Sequence, residues 1–283
     1  MAASIGGYLV VMIGCTLLLY VIHELFRRFV RSTTAFWVLV LLSCPIWISN
    51  LGDWFLVIKT LMMIVAIIII SITRLRYALA NQNEPVARTN ILLWLIYLAL
   101  ILNIAVALIP DIEVGNCYNA LTGLMLCILV PLPPKGWRVD TARYKCHDLL
   151  VDLSFVWCLL YASWWLNLVY DIWPRIFSRG ICLMVVTFIP LIIYRRSELW
   201  FSIRAYTLAF YMLTIALFDY SIPSIDSVIG RDDTVKILWG GINLVLIAVY
   251  TIWWFSTRRR RLEGRLVPAL TPATSPLIQG DRE

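Results

Sequence analysis

The chain has 283 residues, of which 61% are hydrophobic and only 14% are charged, and its mean hydropathy is +0.83. Soluble domains are about 45–50% apolar and about 25% charged, so these values exclude a water-soluble domain and predict a polytopic membrane protein in a lipid bilayer. The net charge of +7 lies in short clusters between apolar runs, where membrane topology accounts for it, and we therefore expect no nucleic-acid partner.

Hydrophobic runs predict an all-α bundle of about seven to nine transmembrane helices. The runs lie near residues 4–22, 35–50, 54–73, 91–109, 116–132, 149–170, 179–194, 198–220 and 235–256. Together they predict one helical domain over residues 1–257. The tail over residues 258–283 starts with four arginines and continues with polar, proline-bearing sequence, which predicts a basic, disordered cytosolic segment.

Basic residues alternate between successive loops along the whole chain. Eighteen of the 24 lysines and arginines fall in every second loop and in the tail, whereas the intervening loops carry four basic residues and eight acidic ones. This alternation predicts an odd number of spans. By the positive-inside rule, the N-terminus is predicted to be lumenal or extracellular and the C-terminus cytosolic. The expected location is the endoplasmic reticulum membrane.

The cysteines and histidines do not indicate a metal or haem site. The seven cysteines form no CxxC pair and fall mostly within or beside apolar runs, which is typical of small buried side chains. The two histidines, His23 and His147, are too few for paired haem ligation or a histidine-rich di-iron site. We expect neither a metal nor a cofactor.

Two acidic residues stand at the predicted cytosolic start of the sixth span. On a helix, Asp148 and Asp152 would share one face, so that one carboxyl group could raise the pKa of the other and hold a proton for general acid catalysis. The alternative is that both residues only complement the dipole at the N-terminus of the helix. On the eighth span, Arg204 and Tyr211 belong to a polar stripe that should face the bundle interior. A direct pair between Arg204 and Asp148 would favour a structural role or anion binding.

A further polar group is predicted on the lumenal side. Its residues are Asn50, Asp53, Lys59, Asn116, Asn119, Asn167, Asp171 and Asp219. They predict either the mouth of a cavity or a set of interhelical hydrogen bonds. Deep aromatic side chains could stabilise a cation, but helical geometry places Trp157, Tyr161, Trp164 and Trp165 opposite Asp148 and Asp152.

Short motifs between residues 50 and 220 carry a resemblance to a family of hydrophobic multi-span proteins. The motifs are Gly52-Asp53-Trp54 with Lys59, Asn116-x-x-Asn119 with Gly123, Asp148, Asn167, and the segment RAYTLAF over residues 204–210. Within that family the chain is similar to the fungal integral membrane terpene cyclases of meroterpenoid biosynthesis, of the ascochlorin and ascofuranone kind. The Trp-Glu pair of the seven-span meroterpenoid cyclases does not occur here, so their catalytic residues cannot be transferred.

The resemblance implies a cofactor-independent cyclase. Such an enzyme protonates an epoxide or alkene of a prenylated aromatic substrate and cyclises the carbocation, alongside other enzymes of the same pathway. The candidate acids are Asp148, Asp152 and Asp171. The candidate substrate-binding residues are Lys59, Asn116, Asn119, Asn167, Arg204 and Tyr211.

Two alternatives remain open. A magnesium-dependent prenyltransferase would need two acidic clusters, of which Asp148-x-x-x-Asp152 supplies only one. A small-metabolite transporter would also explain charges at membrane depth, although no internal repeat is evident in the sequence.

Overall fold

The computed structural model describes residues 5–52, 54–79, 87–140, 146–218 and 230–266. These residues form ten α-helices and one two-stranded antiparallel sheet. The elements are α1 (Ile5–Arg28), α2 (Val30–Leu42), α3 (Cys44–Ile48), α4 (Trp54–Leu79), α5 (Ala87–Glu113), α6 (Cys117–Ile128), β1 (Trp137–Asp140), β2 (Asp148–Val151), α7 (Phe155–Ile172), α8 (Phe177–Tyr194), α9 (Trp200–Phe218) and α10 (Asp233–Leu266). Seven helices are long and apolar enough to cross a membrane. The predicted all-α, multi-pass bundle in lipid is therefore confirmed.

The second predicted span is divided into two short helices. Pro45 lies in the first turn of α3, where its missing N–H needs no partner, and α2 ends just before it. Near the start of α2, Thr33 donates a hydrogen bond to the Phe26 carbonyl in α1, whereas Asn50, just beyond α3, donates to the Ala216 carbonyl near the end of α9. Residues 30–50 therefore run between the two ends of the bundle.

The sixth span does not begin where the sequence predicts it. Residues 148–151 form a strand paired with 137–140, so the prediction that Asp148 and Asp152 share a helical face is wrong. A continuous buried apolar run is compatible with either a strand or a helix, and periodicity does not distinguish them. Helix α7 starts only after Ser154, whose side-chain oxygen caps it by accepting a hydrogen bond from the Trp157 N–H.

The basic loops of the predicted alternation meet at one end of the bundle, which we call the basic end. Arg74 of α4 donates hydrogen bonds to the carbonyls of Phe26, Arg27, Cys146 and His147. A second set of ion pairs joins the hairpin to the loop before α9. Its members are Arg138 with Asp152 and Glu198, and Arg196 with Asp140 and Glu198.

Several predicted loop charges cannot be placed. Asp53, Arg143, Lys145, Asp219 and Asp226 lie outside the described residues, as does the side chain of Arg88. Helix α10 continues to Leu266, so residues 258–266 of the predicted disordered tail are helical, and residues 267–283 lie outside the described part of the chain. The arginines, leucines and glutamate of that stretch are good helix formers.

The core lies around α7 and α9. Residues 200–209 of α9 are all buried, so this helix is enclosed on every side, and it packs against α1, α4 and α8. By contrast, α1 and α10 carry many exposed leucine, isoleucine and valine side chains. A helix with such a face is placed at the lipid boundary of the bundle.

Candidate functional site

A groove opens at the basic end between the end of α6, the β2–α7 junction and α10. Its volume is about 320 Å³. The lining residues are Leu129, Pro131, Asp152, Leu153, Ser154, Trp157, Tyr250, Trp253, Trp254 and Thr257. We call it the basic-end groove. It combines one carboxyl group and several hydroxyl groups with apolar and aromatic walls.

Asp152 is the acidic residue of the basic-end groove. Its backbone N–H donates to the Gly136 carbonyl at 2.9 Å, which extends the hairpin by one residue and fixes the side chain at the groove. The carboxyl group is 45% exposed and pairs with Arg138, which also binds Glu198 at 2.5 Å. Burial lowers the pKa of Arg138, but its hydrogen bonds to Asp152 and Glu198 outweigh burial and raise the pKa above its usual value.

Four aromatic side chains share the groove with this carboxyl group. Trp157 is one of them, so the prediction that it lies opposite both acids is wrong for Asp152. The reason is that the chain from Asp152 to Ser154 is not helical. Tyr250 hydrogen-bonds Ser154 at 2.8 Å, which ties α10 to the start of α7, and its ring lies 5.7 Å from that of Trp253. The aromatic rings are thus held in defined positions.

Asp148 lies apart from the groove in a buried ion pair. Arg27 Nε contacts both carboxylate oxygens, at 3.1 and 2.9 Å, and Arg27 Nη2 lies 2.9 Å from one of them. Arg74 approaches the other oxygen at 4.0 Å. Four residues along an extended chain span about 13 Å, so Asp148 and Asp152 are not the adjacent pair that the sequence predicts. Arg204 does not pair with Asp148.

The predicted lumenal group is partly assembled at the opposite end. Asp171 is buried there against Lys236 at 3.7 Å and Arg231 at 3.1 Å, and Asn116 donates to it at 3.4 Å. Asn119 accepts a hydrogen bond from Asn167 at 3.3 Å. The four predicted residues therefore form one interhelical network.

Other members of this network, Arg231 among them, were not predicted as site residues. Asn119 donates to buried Asp111 at 2.8 Å, and Lys236 donates to a backbone carbonyl beside the same network. A side chain at Gly240 would meet the Asn116 amide oxygen at 2.9 Å. The Gly240-Gly241 pair is the sequence signal that could have indicated a close approach of α10, because small residues let helices pack closely.

Lys59, Arg204 and Tyr211 lie elsewhere, in the interior of the bundle. Arg204 lines a cavity of about 30 Å³, and Lys59 and Tyr211 line a neighbouring one of about 50 Å³. The Arg204 guanidinium carbon lies 4.4 Å above the ring of Trp165, and Lys59 Nζ lies 5.9 Å from the ring of Trp173. These three predicted substrate-binding residues thus do not contribute to the basic-end groove.

The possible metal ligands of the chain are its histidine, cysteine, aspartate and glutamate side chains. Within the described residues, no group of three or more histidine, cysteine, aspartate or glutamate side chains is arranged to hold a metal ion. All seven cysteines are free thiols.

The fold and its buried charges define a multi-pass helical membrane protein. The chain matches no protein-family model, no curated protein and no solved structure.

Proposed function

We propose that this protein is an integral membrane terpene cyclase of secondary-metabolite biosynthesis in the endoplasmic reticulum. Its substrate is a prenylated aromatic compound with an epoxide or alkene on the prenyl chain. The observation that carries the proposal is the basic-end groove, in which one carboxyl group and four aromatic rings line a cavity of about 320 Å³. The resemblance of the sequence to meroterpenoid cyclases supports the same reaction.

The groove has the components that this reaction needs. Its volume falls within the range of about 300–1,000 Å³ that is usual for small-molecule sites. A proton from Asp152 on the epoxide oxygen would open a C–O bond, and an alkene of the same chain would attack the resulting cation. Each aromatic face can stabilise a cation by about 0.5–2 kcal/mol. The cyclised cation then loses a proton, which gives the product and restores the acid. The overall reaction is therefore an isomerisation that consumes no co-reactant.

Of the three candidate acids, Asp152 has the most suitable surroundings. Its carboxyl group is 45% exposed at the groove, and its partner Arg138 also pairs with Glu198. Asp148 is 5% exposed between two arginines, and Asp171 is 1% exposed beside two cations at the other end. Neither of them lines the basic-end groove.

The experiment is a conversion assay with microsomes that contain the full chain. An epoxyfarnesyl phenol is incubated with and without EDTA, and we expect a cyclic product of unchanged mass in both conditions. Asp152→Asn keeps the side-chain shape but removes the proton, and we expect product formation to fall by about 100-fold or more, as for loss of a general acid. The matched control is Asp140→Asn, since Asp140 lies on the same hairpin and also pairs with an arginine but does not line the groove.

Three results would contradict the proposal. Near-normal turnover by Asp152→Asn would eliminate that residue as the acid. Activity that requires magnesium and transfers a prenyl group from a diphosphate would indicate a prenyltransferase. Accumulation of unchanged substrate inside vesicles would indicate a transporter.

A further inference from the structure

A second site lies inside the bundle around Arg204 of α9. The residue is 4% exposed, and none of its three guanidinium nitrogens finds a hydrogen-bond acceptor in the described part of the chain. Tyr161 is its polar neighbour, without the geometry of a hydrogen bond. No salt bridge to a described carboxylate compensates the charge. Buried charges in proteins are normally paired, so this arginine lacks a counter-charge.

The space beside the guanidinium group is small. The cavity of about 30 Å³ is lined by Arg204, by Asn103, whose amide oxygen has no hydrogen-bond partner, and by apolar and aromatic side chains. The neighbouring cavity of about 50 Å³ shares Leu208 with it and contains Lys59, whose charge repels that of Arg204. Each cavity has room for only a few water-sized spheres, which excludes a diphosphate or a prenyl chain.

We propose that Arg204 binds a small monovalent anion of the size of chloride in these cavities. The anion would accept hydrogen bonds from the guanidinium group and would offset its charge. Because the cavity walls belong to α4, α5, α7 and α9, the anion would hold these helices together as a structural counter-ion. The site is distinct from the basic-end groove, from which the contacting rings of Trp157, Tyr161 and Trp200 separate it.

The test is the anion dependence of thermal stability for the purified full-length protein in detergent. Chloride, bromide, nitrate and gluconate are compared as sodium salts at equal ionic strength. We expect the Tm to be about 3–5 °C higher in saturating chloride than in gluconate. Arg204→Met should remove this difference, and in gluconate it should be at least as stable as the parent, because it carries no uncompensated charge. The control is Arg76→Gln, which removes the same charge from an exposed position and should keep the full chloride effect.

Direct binding of radiolabelled chloride gives a second measurement. We expect about one chloride per chain for the parent and for Arg76→Gln, and none for Arg204→Met. If Arg204→Met does not fold, Arg204→Lys replaces it, and we expect about tenfold weaker chloride binding because lysine lacks the fork of donors. Equal Tm values in chloride and gluconate, or chloride binding that Arg204→Lys leaves unchanged, would overturn the proposal. Neither outcome bears on the proposed cyclase function, which the conversion assay tests separately.

Discussion

Asp148 and Asp152 carry the same functional group four residues apart, and their surroundings give them different roles. Asp148 is enclosed by Arg27 and Arg74, which come from two other helices, and it links the ends of these helices to the hairpin. Asp152 is half exposed at the edge of a cavity. At the scale of single residues, the first carboxylate is therefore a buried link between elements, and the second is reachable from the groove.

Asp148→Asn should strongly destabilise the protein. The substitution removes the carboxylate that lies 2.9 Å from buried Arg27 and leaves the more distant Glu24, at 3.4 Å. Breaking a buried pair from one side costs about 3–5 kcal/mol, and we expect the Tm in a fluorescence-detected size-exclusion assay to fall by about 10 °C. Asp152→Asn, which breaks an exposed pair worth about 0–1 kcal/mol, should shift it by less than about 3 °C.

A double variant separates lost charge from lost shape. Arg27→Met with Asp148→Leu removes both charges together, and we expect it to recover most of the Tm that Asp148→Asn loses, because no buried charge remains unpaired. A double variant as unstable as the single one would show that the ion pair itself does not account for the effect.

The sequence predicts which residues are unusual better than it predicts their partners. It identified Asp148, Arg204 and the group that includes Asn116 and Asn167, because charged and amide side chains are conspicuous in an apolar chain. The partner of Asp148 is 121 residues away, and local spacing contains no information about that contact. In the sequence alone, Arg27 is one of the basic loop residues that predict the topology.

At the scale of elements, the sequence predicts the long helices well and the short elements poorly. Apolar runs of 18 residues or more indicate a span whatever their neighbours are. The buried run Leu149–Val151 is too short for that rule, and only pairing with β1 shows that it is a strand. The last backbone hydrogen bond of the hairpin places Asp152 at the groove.

Close packing of α6 depends on a glycine. A side chain at Gly123 would lie 2.8 Å from the ring of buried Trp164 and would also overlap Leu108, whereas one at Gly241 of α10 would meet no atom within 4 Å. Gly123→Ala should lower the Tm by about 2–10 °C, the equivalent of about 1–3 kcal/mol for an overpacked site. Gly241→Ala should leave it unchanged or raise it slightly, since alanine favours the helix. Equal shifts in both variants would show that α6 has room to move.

At the scale of the whole molecule, the described residues of alternate loops lie at the same end of the bundle. Arg74 joins the end of α1 to the segment before β2, and Arg138 and Arg196 join the hairpin to the loop before α9. Charge alternation in the sequence was sufficient to predict this grouping, because each crossing reverses the side of the next loop. Which membrane face this end occupies is a separate question that the positive-inside rule addresses.

The predicted topology depends on whether α6 crosses the membrane. Its 12 residues span about 18 Å, less than the hydrocarbon core of about 30 Å, and yet it runs from the Asp171 network to the basic-end groove. We expect it to cross, with the residues up to Pro131 extending its length and neighbouring helices covering it.

In sealed vesicles with the cytosolic face outward, an impermeant maleimide should label the thiol introduced by Lys135→Cys at once. Cys117, kept as the only other thiol, should react only after the vesicles are permeabilised. Labelling of both positions from one side would show that α6 does not cross, and the reverse pattern would invert the orientation.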